Sequence, residues 1–138
     1  MAKYIKTVPI EAEQFDGSDE MIKKYHIGFW KGIDTNFVYE YSIPTLEGNM
    51  DLGIGDWIAT GVNGKRWPIA EDVFKQAYAE LPVIPDYVAE YINYMKSSYR
   101  DIWDAIQYPL RSNNVSKYME DNSETFARAW LDGYEVAE

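Results

Sequence analysis

Carboxylates are the side chains in this sequence that could most readily do chemistry. The chain has 138 residues, of which 23 are Asp or Glu. Glu11 and Glu13 would share one face of a strand, and Asp101 and Asp104 one face of a helix. Glycosidase-type catalysis needs one carboxyl group desolvated while its partner stays ionised across a cleft. Because chance pairs are expected among so many acids, the sequence predicts a protein that is not an enzyme.

Composition also limits histidine and cysteine chemistry. His26 is the only histidine and there is no cysteine, which removes disulfides, thiolate zinc sites and cysteine nucleophiles. A Ser–His–Asp triad would require His26, and the sequence has no Gly-x-Ser-x-Gly elbow. No second histidine lies at metal-ligand spacing. We therefore expect no catalytic residue, no metal site and no cofactor, and we expect His26 at a helix end or on the surface.

Closely spaced glycines between residues 48 and 64 indicate turns and not a phosphate-binding loop. A P-loop places Gly-Lys-Ser/Thr between a strand and a helix, whereas Gly64-Lys65 lies inside a predicted hairpin. Asn63-Gly64 between two apolar runs is the strongest short-range hairpin signal in the chain. Residues 43–68 therefore predict strand, turn, strand, turn and strand, around which the rest of the chain is organised.

Upstream segments predict strands that extend this meander. Alternating residues predict a strand over 3–8 and a second one that ends near Phe15. Ser18 is a suitable N-cap for one short helix. Further strands are predicted at 27–33 and 37–43, and a closing strand at 77–81.

One face of the strand predicted at 37–43 is aromatic. Phe37, Tyr39 and Tyr41 alternate with the mostly polar residues Val38, Glu40 and Ser42. In a curved sheet these three rings could line a pocket. A small-molecule or nucleotide-binding module without catalysis is therefore an alternative function for this chain.

The pattern changes from strands to helices at Leu81-Pro-Val-Ile-Pro85. Two prolines in this stretch favour extended backbone. Beyond them apolar residues recur every three or four positions, and Asp121 with Glu124 fits a capping box for the last helix. We predict an α+β fold in two modules. Residues 1–81 form a small curved antiparallel sheet or partial barrel with one short helix, and residues 82–138 form about three helices.

A formal net charge of −10 decides which partners are favoured. So acidic a chain is repelled by phosphate backbones, so direct binding to nucleic acid is not expected. The charge either keeps the protein soluble or presents carboxylates to the basic groove of a nucleic-acid-binding partner. The carboxylates of the last third are the candidates for such a surface: Glu120, Asp121, Glu124, Asp132 and Glu135.

Nothing in the sequence predicts a membrane partner. No run of eighteen apolar residues occurs, and the N-terminus lacks the apolar stretch of a signal peptide. The absence of cysteine suits a cytoplasmic protein. The sequence leaves the oligomeric state open.

Residues 4–81 resemble a small module of phages that infect low-GC Gram-positive bacteria. The resemblance rests on Lys6-Thr-Val-Pro-Ile-Glu-Ala-Glu-Gln-Phe15, Thr45-Leu-Glu-Gly-Asn-Met50, Ile54-Gly-Asp-Trp57 and Gly61-Val-Asn-Gly-Lys-Arg-Trp-Pro68. Members usually carry Pro-Gly-Asp-Tyr where this chain has Ile54-Gly-Asp-Trp57. Residues 82–138 are similar to a second phage family, of unknown function, on Val83 to Ile92 and on Phe-Ala-Arg-Ala-Trp-Leu-Asp-Gly-Tyr at 126–134. Neither family brings a set of catalytic residues.

Together the two resemblances imply a phage or prophage accessory protein, cytoplasmic in the infected or lysogenic host. With the negative charge, they lead to a protein that binds and inhibits a host protein. The most specific version is an inhibitor of a host defence nuclease, of the anti-CRISPR type, with its acidic surface against a nucleic-acid-binding groove. Self-association in a structural or assembly role is a further possibility.

Overall fold

The computed structural model describes residues 1–31, 39–109 and 111–138. The chain forms two compact units, Met1–Ala79 and Glu80–Glu138, where the sequence analysis placed the division after Leu81. The fold is α+β: small antiparallel sheets that do not close into a barrel precede a group of helices. The predicted fold class is therefore confirmed.

The first unit contains two three-stranded antiparallel sheets and two short helices. Its elements are β1 (Glu11–Gln14), α1 (Asp19–Lys24), β2 (Gly28–Lys31), β3 (Tyr39–Thr45), β4 (Gly48–Leu52), β5 (Trp57–Thr60), β6 (Arg66–Ile69) and α2 (Glu71–Ala77). One sheet has the order β1-β5-β6 and the other β2-β3-β4. Within the described residues neither 3–8 nor 77–81 forms a strand. Alternation at 3–8 was misleading because it shows which side chains share a face, and not whether a neighbouring strand is there to pair with.

The turn at Gly53–Asp56 is where the prediction of one continuous meander is wrong. The Asp56 N–H donates to the Gly53 carbonyl at 3.1 Å, and the Gly53 N–H donates to Asp56 Oδ2 at 2.8 Å. Gly55 has φ +98°, which fits the third position of a type II turn. Phe15 exchanges two 2.8 Å backbone hydrogen bonds with Gly55 and Asp56. The turn therefore carries the chain from the sheet of β4 into the sheet of β5, next to β1.

The hairpin predicted at Asn63-Gly64 is present. β5 pairs with β6 in the register Thr60↔Arg66, and the Gly61 N–H closes the loop on the Lys65 carbonyl at 2.8 Å. Gly64 has φ +78°, a conformation that costs glycine little. The core of this unit lies under the strands and α1, and its fully buried side chains include Phe15, Ile43 and Ile58.

Four helices and one pair of very short strands form the second unit. Its elements are β7 (Val83–Ile84), α3 (Asp86–Ser97), α4 (Ile102–Gln107), α5 (Asn113–Asp121), α6 (Ser123–Asp132) and β8 (Glu135–Val136). β8 lies parallel to β7. The buried face of α3, which carries Val88, Ile92 and Met95, packs with Phe126 and Trp130 of α6 in one core. The helical spacing in the sequence predicts this face of α3.

The start of α6 differs from the predicted capping box. α5 continues to Asp121, so that residue belongs to the preceding helix, and Asn122 takes the N-cap position without a side-chain hydrogen bond to α6. Asn122 instead caps α5, since its N–H and its side-chain amide both donate to the Tyr118 carbonyl, at 2.8 and 3.2 Å. The capping-box pattern was satisfied in sequence, but the length of α5 decided which residue caps α6.

Candidate functional site

The five carboxylates predicted to form a binding surface are all exposed, but they form two groups. Glu120 and Asp121 lie in the last turn of α5, and Glu124 lies in the first turn of α6. Asp132 ends α6, and Glu135 begins β8. Since a helix rises about 1.5 Å per residue, Glu124 and Asp132 lie roughly 12 Å apart along α6. The junction of α5 and α6 is the denser group.

Lysines and arginines of the second unit are mostly bound to the unit itself. Lys96 donates to the Trp130 carbonyl, and its Nζ lies 5.0 Å from the Trp130 ring centroid. Arg111 donates to the Ile106 carbonyl and, at 2.8 Å, to Ser116 Oγ. Arg128 donates to the Glu80 carbonyl at 2.9 Å. The Arg100 guanidinium lies 5.1 Å from the Tyr108 ring centroid.

Two of these contacts follow from how helices end. The last four carbonyls of a helix have no partner within it and are often satisfied by cations. Neither α4 nor α6 has a basic residue in its last turn. Arg111 supplies the missing donor to α4, and Lys96 reaches across from α3 to supply one to α6. These cations are held by helix ends rather than by carboxylates.

As a result, the negative charge of this unit is little neutralised by ion pairs. Residues 80–138 contain eleven Asp or Glu and five Lys or Arg, a formal net charge of −6. Within the described part of the unit, one ion pair is found, with 3.9 Å between Arg128 Nε and Asp132 Oδ2. Both side chains are about half exposed, and such a pair contributes little to stability.

Helix dipoles disfavour several of the same carboxylates. The C-terminal end of a helix carries partial negative charge, and an acid there costs about 0.3–1 kcal/mol at low salt. Glu120, Asp121 and Asp132 occupy last turns, whereas Glu124 in a first turn is favourably placed. Helix stability therefore explains the position of Glu124 but not the positions of the other three.

Large aromatic side chains are exposed on the same unit. The exposed fractions are 53% for Tyr94, 99% for Tyr99 and 61% for Trp103. Asp101 and Asp104 flank Trp103 in sequence, and both are exposed. The high aromatic content of the sequence suggested such rings without identifying them. The signal that points to Trp103 is its position beside two acids in a short helix.

The aromatic face proposed as a ligand pocket is only partly described. Phe37 lies outside the described residues, and for Tyr39 only the backbone within β3 is described. Tyr41 is half-buried and packs against the core of the first unit, with its ring 5.0 Å from that of Phe15 in an edge-on arrangement. The ring of Tyr41 thus has a structural role.

The paired carboxylates also have structural partners. Asp101 and Asp104 form a reciprocal capping box at the start of α4, with hydrogen bonds of 2.9 and 3.1 Å. Glu13 Oε2 accepts hydrogen bonds from Lys24 Nζ at 2.8 Å and from the Tyr25 hydroxyl at 2.5 Å. The bonds from Lys24 and then Tyr25 lower the pKa of the Glu13 carboxyl. These bonds tie α1 to β1.

His26 lies directly after α1 and is exposed, as predicted. Among the described residues no group of three or more His, Cys, Asp or Glu is arranged to hold a metal ion. The same residues include no helix long and apolar enough to cross a membrane.

Comparison with known proteins identifies one family. Residues 79–138 match a phage-associated family described as protein of unknown function (DUF1642). The match covers the second unit and less than half of the chain. No curated protein and no solved structure matches the chain.

Proposed function

We propose that this is a phage accessory protein that binds and inhibits a basic host protein through its second unit, without catalysis. The observation that carries the proposal is the use of that unit's cations. Lys96, Arg111 and Arg128 bind backbone carbonyls, which leaves an excess of exposed carboxylates for a partner. The junction formed by Glu120, Asp121 and Glu124, called the α5–α6 junction below, is the centre of this charge.

A host nuclease of the CRISPR effector type is the most specific partner that this surface fits. A groove built for nucleic acid is basic, and complementary charge speeds association and fixes orientation. The phage association of the family matched by residues 79–138 supports a host-directed role. Exposed Trp and Tyr are the residue types that most often dominate binding energy at interfaces, and Trp103 and Tyr99 provide them.

The first experiment is an affinity pull-down from the lysate of a Gram-positive host with the full chain as bait, eluted in a salt gradient. We expect a basic nucleic-acid-binding enzyme that is released at moderate salt. The recovered enzyme is then purified, and both its affinity for the chain and its inhibition are measured. An affinity that is unchanged over a tenfold range of salt would contradict the electrostatic mechanism.

Charge-matched variants locate the surface. Asp121→Asn with Glu124→Gln removes two charges at the α5–α6 junction, and Asp132→Asn with Glu135→Gln removes two at the other end of α6. We expect the first pair to weaken binding by about tenfold, mainly through slower association, and the second pair to have a smaller effect. Equal effects would show that only total charge matters and would remove the junction as the binding centre.

A further inference from the structure

A groove in the first unit could hold a small molecule, which is a function beyond protein binding. Its volume is about 570 Å³, within the range of ligand pockets. Three segments line it: residues 6–10, the turn between β3 and β4, and the hairpin of β5 and β6. Most of the lining is apolar and includes Val8, Ile10, Met50 and Val62.

Trp67 provides a flat wall in this groove. The ring lies close to the backbone of Gly61, where an added Cβ would be 3.3 Å from Trp67 Cζ3. The missing side chain at Gly61 therefore allows the indole to lie against the hairpin. Trp67 is half-buried, so part of the ring remains accessible. A held, partly open indole is the kind of surface on which a planar ring stacks.

Two ammonium groups accompany the indole. Lys6 Nζ lies 4.7 Å from the Trp67 ring centroid, and no carboxylate of the described residues lies within 4.0 Å of it. Lys65 Nζ lies 3.1 Å from Glu47 Oε1, an exposed pair that leaves Lys65 available to a second anion. The groove thus carries two positive charges and one negative charge in a chain of net charge −10.

Local charge governs a small ligand here, because charges further than about 8 Å away are largely screened at physiological salt. A long polyanion would still meet the acidic remainder of the protein, but a single anionic group would not. The combination of apolar walls, an indole face and ammonium groups fits a planar aromatic ring that carries one anionic group.

We propose that this groove binds a nucleoside monophosphate, with its base stacked on Trp67 and its phosphate bound by Lys6 and Lys65. Stacking on the indole supplies affinity that tolerates any base. The ammonium groups distinguish the phosphorylated form from the free nucleoside.

The test is an NMR titration of the full chain with adenosine monophosphate. The five tryptophans give five indole N–H signals, and Trp67→Leu identifies the one from Trp67. We expect saturable shifts of the Trp67 signal in the millimolar range or below, with the Trp103 signal unmoved. Adenosine should bind at least about tenfold more weakly, and inorganic phosphate alone should leave the Trp67 signal in place. A Trp67 signal that does not shift, or that shifts equally with phosphate, would overturn the proposal.

Variants provide the second readout, namely line broadening of adenosine monophosphate by the protein. Lys6→Ala should weaken binding about tenfold, with Lys3→Ala as the control; Lys6 is exposed, so its removal leaves the core intact. Trp67→Leu should abolish the broadening, and Trp103→Leu should preserve it. Unchanged affinity in Lys6→Ala, or broadening retained in a folded Trp67→Leu variant, would contradict the proposed site.

Discussion

Tyr99 shows a residue whose position costs stability without an evident return inside the chain. It follows α3 with φ +56° and is 99% exposed. Its N–H donates to the Lys96 carbonyl and that of Arg100 to the Met95 carbonyl, both at 3.1 Å. This is a Schellman motif, in which glycine is the usual residue at the left-handed position. A bulky L-residue there costs roughly 1–2 kcal/mol.

Replacing Tyr99 by glycine separates stability from binding. We expect Tyr99→Gly to raise the free energy of unfolding by about 0.5–1 kcal/mol, because relief of the strained backbone exceeds the extra chain entropy of glycine. Ser98→Gly is the control, since Ser98 has φ −90° and should be destabilised by the same change. Urea unfolding measures both. If Tyr99 is an interface anchor, the stabilised variant should also bind the host partner more weakly, and a loss of stability in Tyr99→Gly would contradict the strain argument.

Glu13 gives a pH dependence at the residue scale. Its bonds from Lys24 and Tyr25 lower the pKa of the carboxyl below the ordinary value of 4.5. A lowered folded-state pKa means that this stabilisation is present above pH 4.5 and is lost as the pH falls through the folded value. We therefore expect Glu13→Gln to be less stable than the parent at neutral pH, with the difference shrinking below pH 4.5. A constant difference in unfolding free energy across this range would be inconsistent with it, and Glu11→Gln on the same strand is the control.

At the scale of elements, the sequence predicted turns better than it predicted pairing. Asn63-Gly64 and Gly53–Asp56 contain residues whose conformations or side-chain hydrogen bonds specify a turn locally. Which strands those turns bring together depends on distant segments. The turn at Gly53–Asp56 would read the same in a meander, but Phe15 pairs with it and places β5 beside β1.

The candidate site shows the same limit. The carboxylates could be listed from the sequence, but their value depends on where the cations go. Lys96 and Trp130 are distant in sequence, and their contact exists only because α3 packs on α6. The exposure of Trp103 was likewise not readable from periodicity, since a six-residue helix is too short to define a buried face.

Helix dipoles allow two carboxylates of the α5–α6 junction to be compared. Asp121 ends α5 and Glu124 begins α6. We expect Asp121→Asn to raise the free energy of unfolding by about 0.3–1 kcal/mol and Glu124→Gln to lower it by a similar amount at low salt. Both remove one negative charge, so both should weaken host-partner binding. Opposite signs in urea unfolding with the same sign in binding would separate the two roles, whereas parallel changes in stability would refute the dipole argument.

At the scale of the whole molecule, uneven charge should couple stability and binding to salt in opposite directions. The second unit has the larger formal charge, −6 of the total −10, and its carboxylates are largely without ion pairs. Self-repulsion of like charges destabilises a compact state and is screened by salt. Attraction to a basic partner is screened by the same ions.

We therefore expect the thermal midpoint to rise between about 0.05 and 0.5 M NaCl, while affinity for the host partner falls. Sodium sulfate is unsuitable because it strengthens apolar burial by exclusion, so chloride is compared with an uncharged osmolyte at equal osmolarity. The Asp121→Asn, Glu124→Gln double variant should show a smaller response to chloride in both measurements. A midpoint that falls with chloride would mean that attractive ion pairs outweigh self-repulsion, contrary to the single weak pair between Arg128 and Asp132 described in the second unit.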